Sequence, residues 1–304
     1  MKPVIQAIEV TKVYRNNIKA LNAVTIEVKR GEIFALLGVN GAGKTTLMKI
    51  LLSLIRPTSG DVYIFGAPVS EGRWKGRIGY LPELFRAPEN WRIVEVVEFL
   101  GRLSGLRGAE LKQRVKFVLE AVDLYEERKR IVKTLSKGMM LRLGLAQALI
   151  HKPEILFLDE PTEGLDPVGR VKIRRLLLEL KNEGVTIFLN SHLLSEVEIL
   201  ADRIGILHEG RLVISGTLAE VMPNNEKYRV ELSVPPEKVE GLRTSLSAFN
   251  LSQDGLNFII VVEGINALSE VLMIAKNFSV EIKSVAPLRN TLEDVFISYI
   301  KGAE

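Results

Sequence analysis

Gly38, Gly43, Lys44 and Thr45 meet the pattern G-x-x-x-x-G-K-[ST] within GVNGAGKTT (38–46). Those residue types at that spacing suit one task, the holding of phosphate groups. Glycines let the backbone curl until several N–H groups point at phosphate oxygens, and the N-terminus of a following helix adds positive partial charge. Lys44 is expected to reach the β- and γ-phosphates of a nucleotide, Thr45 to offer its hydroxyl to Mg²⁺, and Thr46 to support the α-phosphate side. Further along, ILFLDE (155–160) carries two adjacent acids behind four apolar residues. Asp159 is placed to hold Mg²⁺ directly or through water. Glu160, leaving the strand on its other face, is placed to orient or deprotonate an attacking water.

A third segment, LSKGM (135–139), precedes the helical composition of MLRLGLAQALI. Ser136 and Gly138 then sit at a helix N-terminus, a second anion site. One chain has no use for two phosphate sites this far apart on one nucleotide. A head-to-tail pair of chains, each phosphate loop facing the other's LSKGM, uses both.

The elements that must position these residues read as alternating strands and helices. IFALLG (33–38) leads into the glycine-rich loop, and KTTLMKILLSLI (44–55) has helical composition. ILFLD (155–159) and VTIFLN (185–190) lack polar alternation, as buried parallel strands do. A helix is predicted over 168–183, with Val171, Leu176, Leu177 and Leu180 on its apolar face and Gly184 as a left-handed cap. The start, around IQAIEV and AVTIEV, alternates like an antiparallel layer. Residues 90–134 carry apolar positions at three- and four-residue spacing around the turn GLRG, a helical insert. The tail predicts a small β-α-β-α-β module, with Asn224 and Asn225 at the boundary. The fold class is α/β: a mostly parallel sheet with an N-terminal antiparallel layer, followed by a small C-terminal α+β domain. The domains expected are 1–222, containing a helical subdomain at about 84–134, and 224–304.

Composition excludes several classes. There is no cysteine among the 304 residues, hence no disulfide framework and no thiolate zinc site. The net charge of +4 is small support for nucleic-acid binding, and the basic runs EERKR (126–130) and GRVKIRR (169–175) read as solvated helix faces. No apolar run approaches the roughly 18–20 residues that span a bilayer, and MKPVIQAIEV lacks a signal-peptide pattern. Any membrane role is expected to come through a partner. Trp74 and Trp91 read as packing residues.

Through roughly residues 4–220 the chain resembles the ATP-binding subunits of ATP-binding-cassette (ABC) transporters. The resemblance implies a P-loop cassette core and ATP hydrolysis with Mg²⁺. In its terms GVNGAGKTT is the Walker A loop, so Asn40, Gly41 and Ala42 join Gly38, Gly43, Lys44, Thr45 and Thr46 as nucleotide-binding residues. Leu135, Ser136, Lys137, Gly138 and Met139 form the signature, acting on the other subunit's nucleotide. ILFLDE is the Walker B strand, GLDP (164–167) the D-loop with Asp166 at the dimer interface, and His192 the switch histidine on the γ-phosphate. With Glu160 and Lys44, His192 completes the catalytic set. Tyr14 matches the aromatic that stacks on adenine, a contact worth on the order of 1–3 kcal/mol. Two departures stand out. Glu83 occupies the position where the family usually has glutamine, and it joins Thr45 and Asp159 as an expected metal contact. Lys137 and Met139 replace the glycine and glutamine of LSGGQ.

Such signatures, and a tail ending like NTLEDVFISYI (290–300), are familiar in exporter-type members with a separate membrane subunit. The resemblance therefore implies integral membrane permease subunits as partners, a second ABC ATPase subunit (identical or paralogous), and a place on the cytoplasmic face of the cell membrane. It implies no direct nucleic-acid binding. The alternative is a soluble ABC-type ATPase acting on ribosomes or nucleic acid; those relatives carry two cassettes, a long coiled-coil insertion or zinc-binding cysteines. A non-hydrolysing regulatory binder is disfavoured by intact Glu160 and His192.

Overall fold

Short apolar runs without polar alternation become the buried strands of this protein. In the computed structural model, which describes residues 3–15, 17–222, 227–288 and 291–301, all residues of β3 (Ile33–Leu37), β7 (Ile155–Asp159) and β8 (Thr186–Asn190) are buried. They belong to a six-stranded sheet with β6 (Ile78–Leu81), β9 (Arg203–His208) and β10 (Arg211–Thr217), in the order β10-β9-β3-β8-β7-β6. Pairing is parallel throughout except for β10 against β9. Phe34 stacks on Phe188 at 5.6 Å between centroids, and Phe157 tilts against the same ring at 5.7 Å. Parallel pairing has one consequence for function: the carboxyl ends of β3, β6, β7 and β8 all open toward the same side of the sheet, the usual place for a ligand.

An antiparallel sheet, β2-β1-β4-β5, is built from β1 (Pro3–Val13), β2 (Lys19–Lys29), β4 (Ser59–Ile64) and β5 (Ala67–Pro68). Its inner residues Ile5, Val24 and Ile26 share a core with Phe34, Phe157 and the helix α1 (Lys44–Leu51). Leu47, Met48, Ile50 and Leu51 bury the apolar face of α1. Each such side chain contributes about 1.5–3 kcal/mol, so the helix that follows the phosphate loop is firmly seated.

The helical insert forms as expected from α2 (Ile93–Leu103) and α3 (Gly108–Ala121), joined through GLRG, followed by α4 (Lys137–Leu149). The predicted helix at 168–183 is α5 (Pro167–Asn182), and Gly184 has φ 91°. Its buried stripe is Ile173, Leu176, Leu177 and Leu180, whereas Val171 is 45% exposed. The three- and four-residue spacing selects Ile173, and Val171 falls off the stripe. GRVKIRR lies on α5, but EERKR forms turns rather than a helix face; there Arg128 donates to the Tyr125 carbonyl at 2.8 Å and Arg130 to that of Thr134 at 2.9 Å. Two short helices, α6 (Leu194–Leu200) and α7 (Leu218–Val221), complete this region. Trp74 is 2% exposed in the core, and Trp91 packs edge-on against Phe99 at 5.2 Å.

Met1–Val221 with Phe296–Glu304 form one compact unit and Met222–Val295 a second. The expected boundary at Asn224 and Asn225 lies outside the described residues. Within the second unit, β11 (Lys227–Ser233), α8 (Val239–Ser245), β12 (Asn250–Asp254), β13 (Asn257–Glu263), α9 (Gly264–Asn277) and β14 (Glu281–Leu288) give an antiparallel sheet of order β12-β13-β11-β14. Val230, Leu232, Phe258 and Ile260 pack on Leu242 and Val271. The sequence expectation of β-α-β-α-β is one strand short. Four of the five residues of β12 are exposed, so no apolar period betrays the hairpin that its pairing with β13 creates. The pattern is β-α-β-β-α-β. The last described helix is α10 (Leu292–Lys301). Among the described residues no helix is long and apolar enough to cross a membrane.

Candidate nucleotide site

Residues 38–43 carry the chain from the end of β3 to the start of α1. Gly43 is the helix N-cap with φ 109°, a conformation that side chains rarely adopt. A Cβ there would strike the Ala20 carbonyl and approach Leu21 Cδ2 at 2.9 Å. The loop is pinned by hydrogen bonds from Ala42 N to the Val39 carbonyl (3.1 Å) and from Gly210 N to the Ala42 carbonyl (3.0 Å). Lys44 is buried, and its ammonium donates to the carbonyls of Gly38 (2.6 Å) and Val39 (3.3 Å). Burial lowers its pKa; the carboxylates of Glu160, Asp159 and Glu83 oppose that shift.

A cleft of about 560 Å³ opens over the loop, lined by Asn40, Gly41, Ala42, Gly43, Lys44, Thr45 and Thr46 together with Glu83, Asp159, Glu160, Glu163 and His192. Strands β7 and β8 supply the acids by register. Asp159 pairs with Asn190 across the two strands, and Asn190 Nδ2 donates to Asp159 Oδ1 at 3.1 Å. The Asn190 carbonyl accepts from Glu160 N at 3.0 Å. Glu160 adopts φ 54°, an uncommon choice for a non-glycine residue. Its Oε2 lies 2.9 Å from His192 Nδ1 and accepts from His192 N at 3.3 Å. Burial raises the pKa of both acids, against the Asn190 hydrogen bond at Asp159 and the His192 contacts at Glu160. Tyr14 is not part of the lining; its hydroxyl is 3.5 Å from Thr46 Oγ1, and 41% of the residue is exposed.

LSKGM lies elsewhere. Ser136 caps α4 and accepts from Met139 N at 3.2 Å. Ser136, Lys137 and Gly138 line a second groove, of about 930 Å³, with Asp166, which caps α5 by accepting from Gly169 N at 2.7 Å. Leu135 is half-buried, and Met139 is turned inward, 8% exposed. The structure thus brings the phosphate loop, Glu83, both acids and His192 into one cleft and leaves the signature segment and Asp166 outside it.

Known proteins resemble this chain in sequence and fold. The ABC transporter family model matches residues 21–163. An uncharacterized ABC transporter ATP-binding protein of Synechocystis is 39% identical over 98% of this chain and 85% of its own length. The chain belongs to the ABC transporter ATP-binding proteins. The bacitracin transport ATP-binding protein of Bacillus licheniformis is 36% identical, covering 99% of both chains. A dimeric ATP-binding cassette solved in a post-hydrolysis state with ADP and Pi superposes with TM-score 0.66 and 27% identity, over 70% of this chain and 98% of that one. This cassette binds ATP, and its hydrolysis is the motor reaction of a transporter.

Two residues escaped the sequence reading: Glu163, which lines the cleft, and Asn190, which lies behind it against Asp159. Asn190, fully buried, holds Asp159 by its side chain and Glu160 by its main chain, while its own Oδ1 has no partner among the described residues. The available signal was a polar residue closing the apolar run VTIFLN, at the register position opposite Asp159. Glu163 has no comparable signal, since a single acid in a loop is usually a solvated one.

Proposed function

We propose that two copies of this cassette, or one copy and a paralogue, close head to tail around two ATP molecules. The observation that carries this is the separation of the phosphate cleft from the groove that holds Ser136, on one chain. Each then completes the other's site. Lys44 and the main-chain N–H groups of 40–46 grip the phosphates, Ser136 and Gly138 of the second subunit cap the γ-phosphate, and Tyr14 stacks on the base. Glu160 orients and deprotonates the attacking water, and His192, hydrogen-bonded to it, holds both the carboxylate and the γ-phosphate in place. Catalysis here is mostly positioning and charge stabilisation.

Mg²⁺ suits the donors present. Thr45, Asp159 and Glu83 bring hard oxygen atoms to one cleft, and no three His, Cys, Asp or Glu side chains among the described residues could hold a metal by themselves. A cation that keeps few protein ligands and takes the rest from phosphate and water matches that set. When bound, it neutralises charge on the β- and γ-phosphates.

The cassette sits at the cytoplasmic face of the membrane through permease subunits and drives export. Its likeness to a bacitracin transport protein over the whole length supports a transporter rather than a ribosome- or DNA-directed ATPase. The insert at 84–134 passes movement to the membrane partner, and its exposed Leu84 (74%) and Leu103 (69%) suit contact with one. The C-terminal module is an accessory domain that stabilises the pair.

ATP is expected to convert Glu160→Gln, which slows hydrolysis, from monomer to dimer in sedimentation, and Ser136→Ala added to it is expected to weaken that dimer at least tenfold. A chain that stays monomeric at saturating ATP overturns the proposal.

A further inference from the structure

Lys137 stands where LSGGQ has glycine, yet its side chain is not left free. Its Nζ lies 2.7 Å from Glu163 Oε1. Between them the lysine stem crosses Gly164, where a Cβ would come within 2.7 Å of Lys137 Cδ and 2.9 Å of Cε, and where φ is 75°. The chain is at its thinnest, and in a conformation suited to glycine, at the point where the lysine passes. Alongside, Leu165 packs against Gly138, leaving only 3.0 Å between Leu165 Cδ2 and an added Cβ.

Glu163 belongs to the phosphate cleft as well, lining it with Glu160 and His192, and its N–H donates to the Glu160 carbonyl at 3.2 Å. One short path therefore runs from the catalytic glutamate through Glu163 and Lys137 to Ser136. It joins the cleft that this chain completes with its own Walker motifs to the groove that it presents to a second subunit. The pair is exposed in the single chain, with 63% of the Lys137 side chain and 35% of Glu163 open to solvent. Closure of a second subunit over it excludes water, and the same ion pair then strengthens.

We propose that Lys137 and Glu163 are positioning residues, a latch that makes the signature segment of each chain respond to the state of that chain's own nucleotide cleft. It rests on the composite-site proposal above, and it makes the two sites hydrolyse cooperatively rather than independently.

The test is steady-state ATP hydrolysis by the full-length chain as a function of ATP concentration. Wild type is expected to show a Hill coefficient approaching about 2, the number of sites. Glu163→Gln and Lys137→Met are each expected to bring it toward 1, and the double variant to be no lower than either single one, because both remove the same link. A wild-type coefficient of 1, an unchanged coefficient in Glu163→Gln, or an effect confined to Lys137→Met overturns the latch; the last would make Lys137 a direct phosphate contact. ATP-dependent dimerisation of Glu160→Gln keeps the outcomes apart. If that dimer forms while Glu163→Gln stays cooperative, only the latch fails; if it does not form, the composite site fails with it.

Discussion

Strand β7 has a carboxylate at each end, and they live in opposite environments. Glu154, just before the strand, is met by two hydrogen bonds from Arg77 at 2.6 and 2.9 Å and one from Arg30 at 3.1 Å. The Arg77 hydrogen bonds, with help from Arg30, hold its pKa below the usual glutamate range. Asp159, five residues on, is buried with Asn190 as its only side-chain hydrogen-bond partner among the described residues, and burial pushes its pKa up; Glu160 beside it follows. The amino end of the strand is finished by the protein itself. The carboxyl end keeps acids short of positive partners, an arrangement that costs stability and is found where a ligand supplies the missing charge.

The largest effect that this contrast predicts is on turnover. Glu160→Gln is expected to retain ATP affinity and lower kcat about 10²–10⁴-fold, the range for loss of a general base. Undiminished hydrolysis removes Glu160 from the mechanism. A pH profile sharpens the point. As the proposed base the carboxylate has to be deprotonated, and burial raises its pKa, so activity is expected to be lost on acidification at a higher pH than an ordinary glutamate would give. An acid limb at or below the normal carboxylate range would mean that the buried environment is not felt during turnover.

A smaller effect is expected one step out from the reacting atoms. Asn190→Ala removes the side-chain hydrogen bond that Asp159 accepts and leaves Glu160 N its main-chain partner. Asp159 is proposed to hold Mg²⁺, and partners of metal ligands typically contribute 10–100-fold in metal affinity, so the Mg²⁺ concentration giving half-maximal hydrolysis is expected to rise about 10–100-fold. Saturating Mg²⁺ is expected to restore most of kcat. A fall in kcat with unaltered Mg²⁺ dependence would assign Asn190 to Glu160 instead of Asp159.

The two strand ends also differ in how legible they are in the amino-acid sequence. The acids of the carboxyl end announce themselves, because ILFLD leaves them no solvent face and the strand carries them to the site. The glycine-rich loop is equally plain, since its φ values and close approaches exclude most other residues. The amino end is silent: Arg77 and Glu154 are 77 residues apart, and nothing in sequence pairs two surface charges at that distance. Asn190 and the Lys137–Glu163 contact share this property of being formed by tertiary register alone. The polar strand β12 is hidden in the sequence for a related reason, its pairing being dictated by β13 and not by its own pattern. Val171 and EERKR show the limit of periodicity, which finds a helix or a charged face but not its phase or its end.

The smallest expected effect lies at the silent end. Glu154→Gln should leave ATP turnover within about twofold of wild type, because the residue sits at the other end of the strand from the cleft. Its ion pairs are exposed, 40% at the glutamate, so their contribution is that of a screened surface pair, about 0.2–1 kcal/mol. The sign with pH follows from the lowered pKa. A carboxylate whose folded pKa is depressed stabilises the fold above its unfolded pKa, and that contribution is lost as pH falls through the folded value. Urea denaturation near neutral pH is therefore expected to find the variant slightly less stable than wild type, with the gap closing on acidification. A gap that persists in acid would trace the loss to packing rather than charge. A tenfold fall in turnover would show that the two ends of β7 are energetically coupled after all.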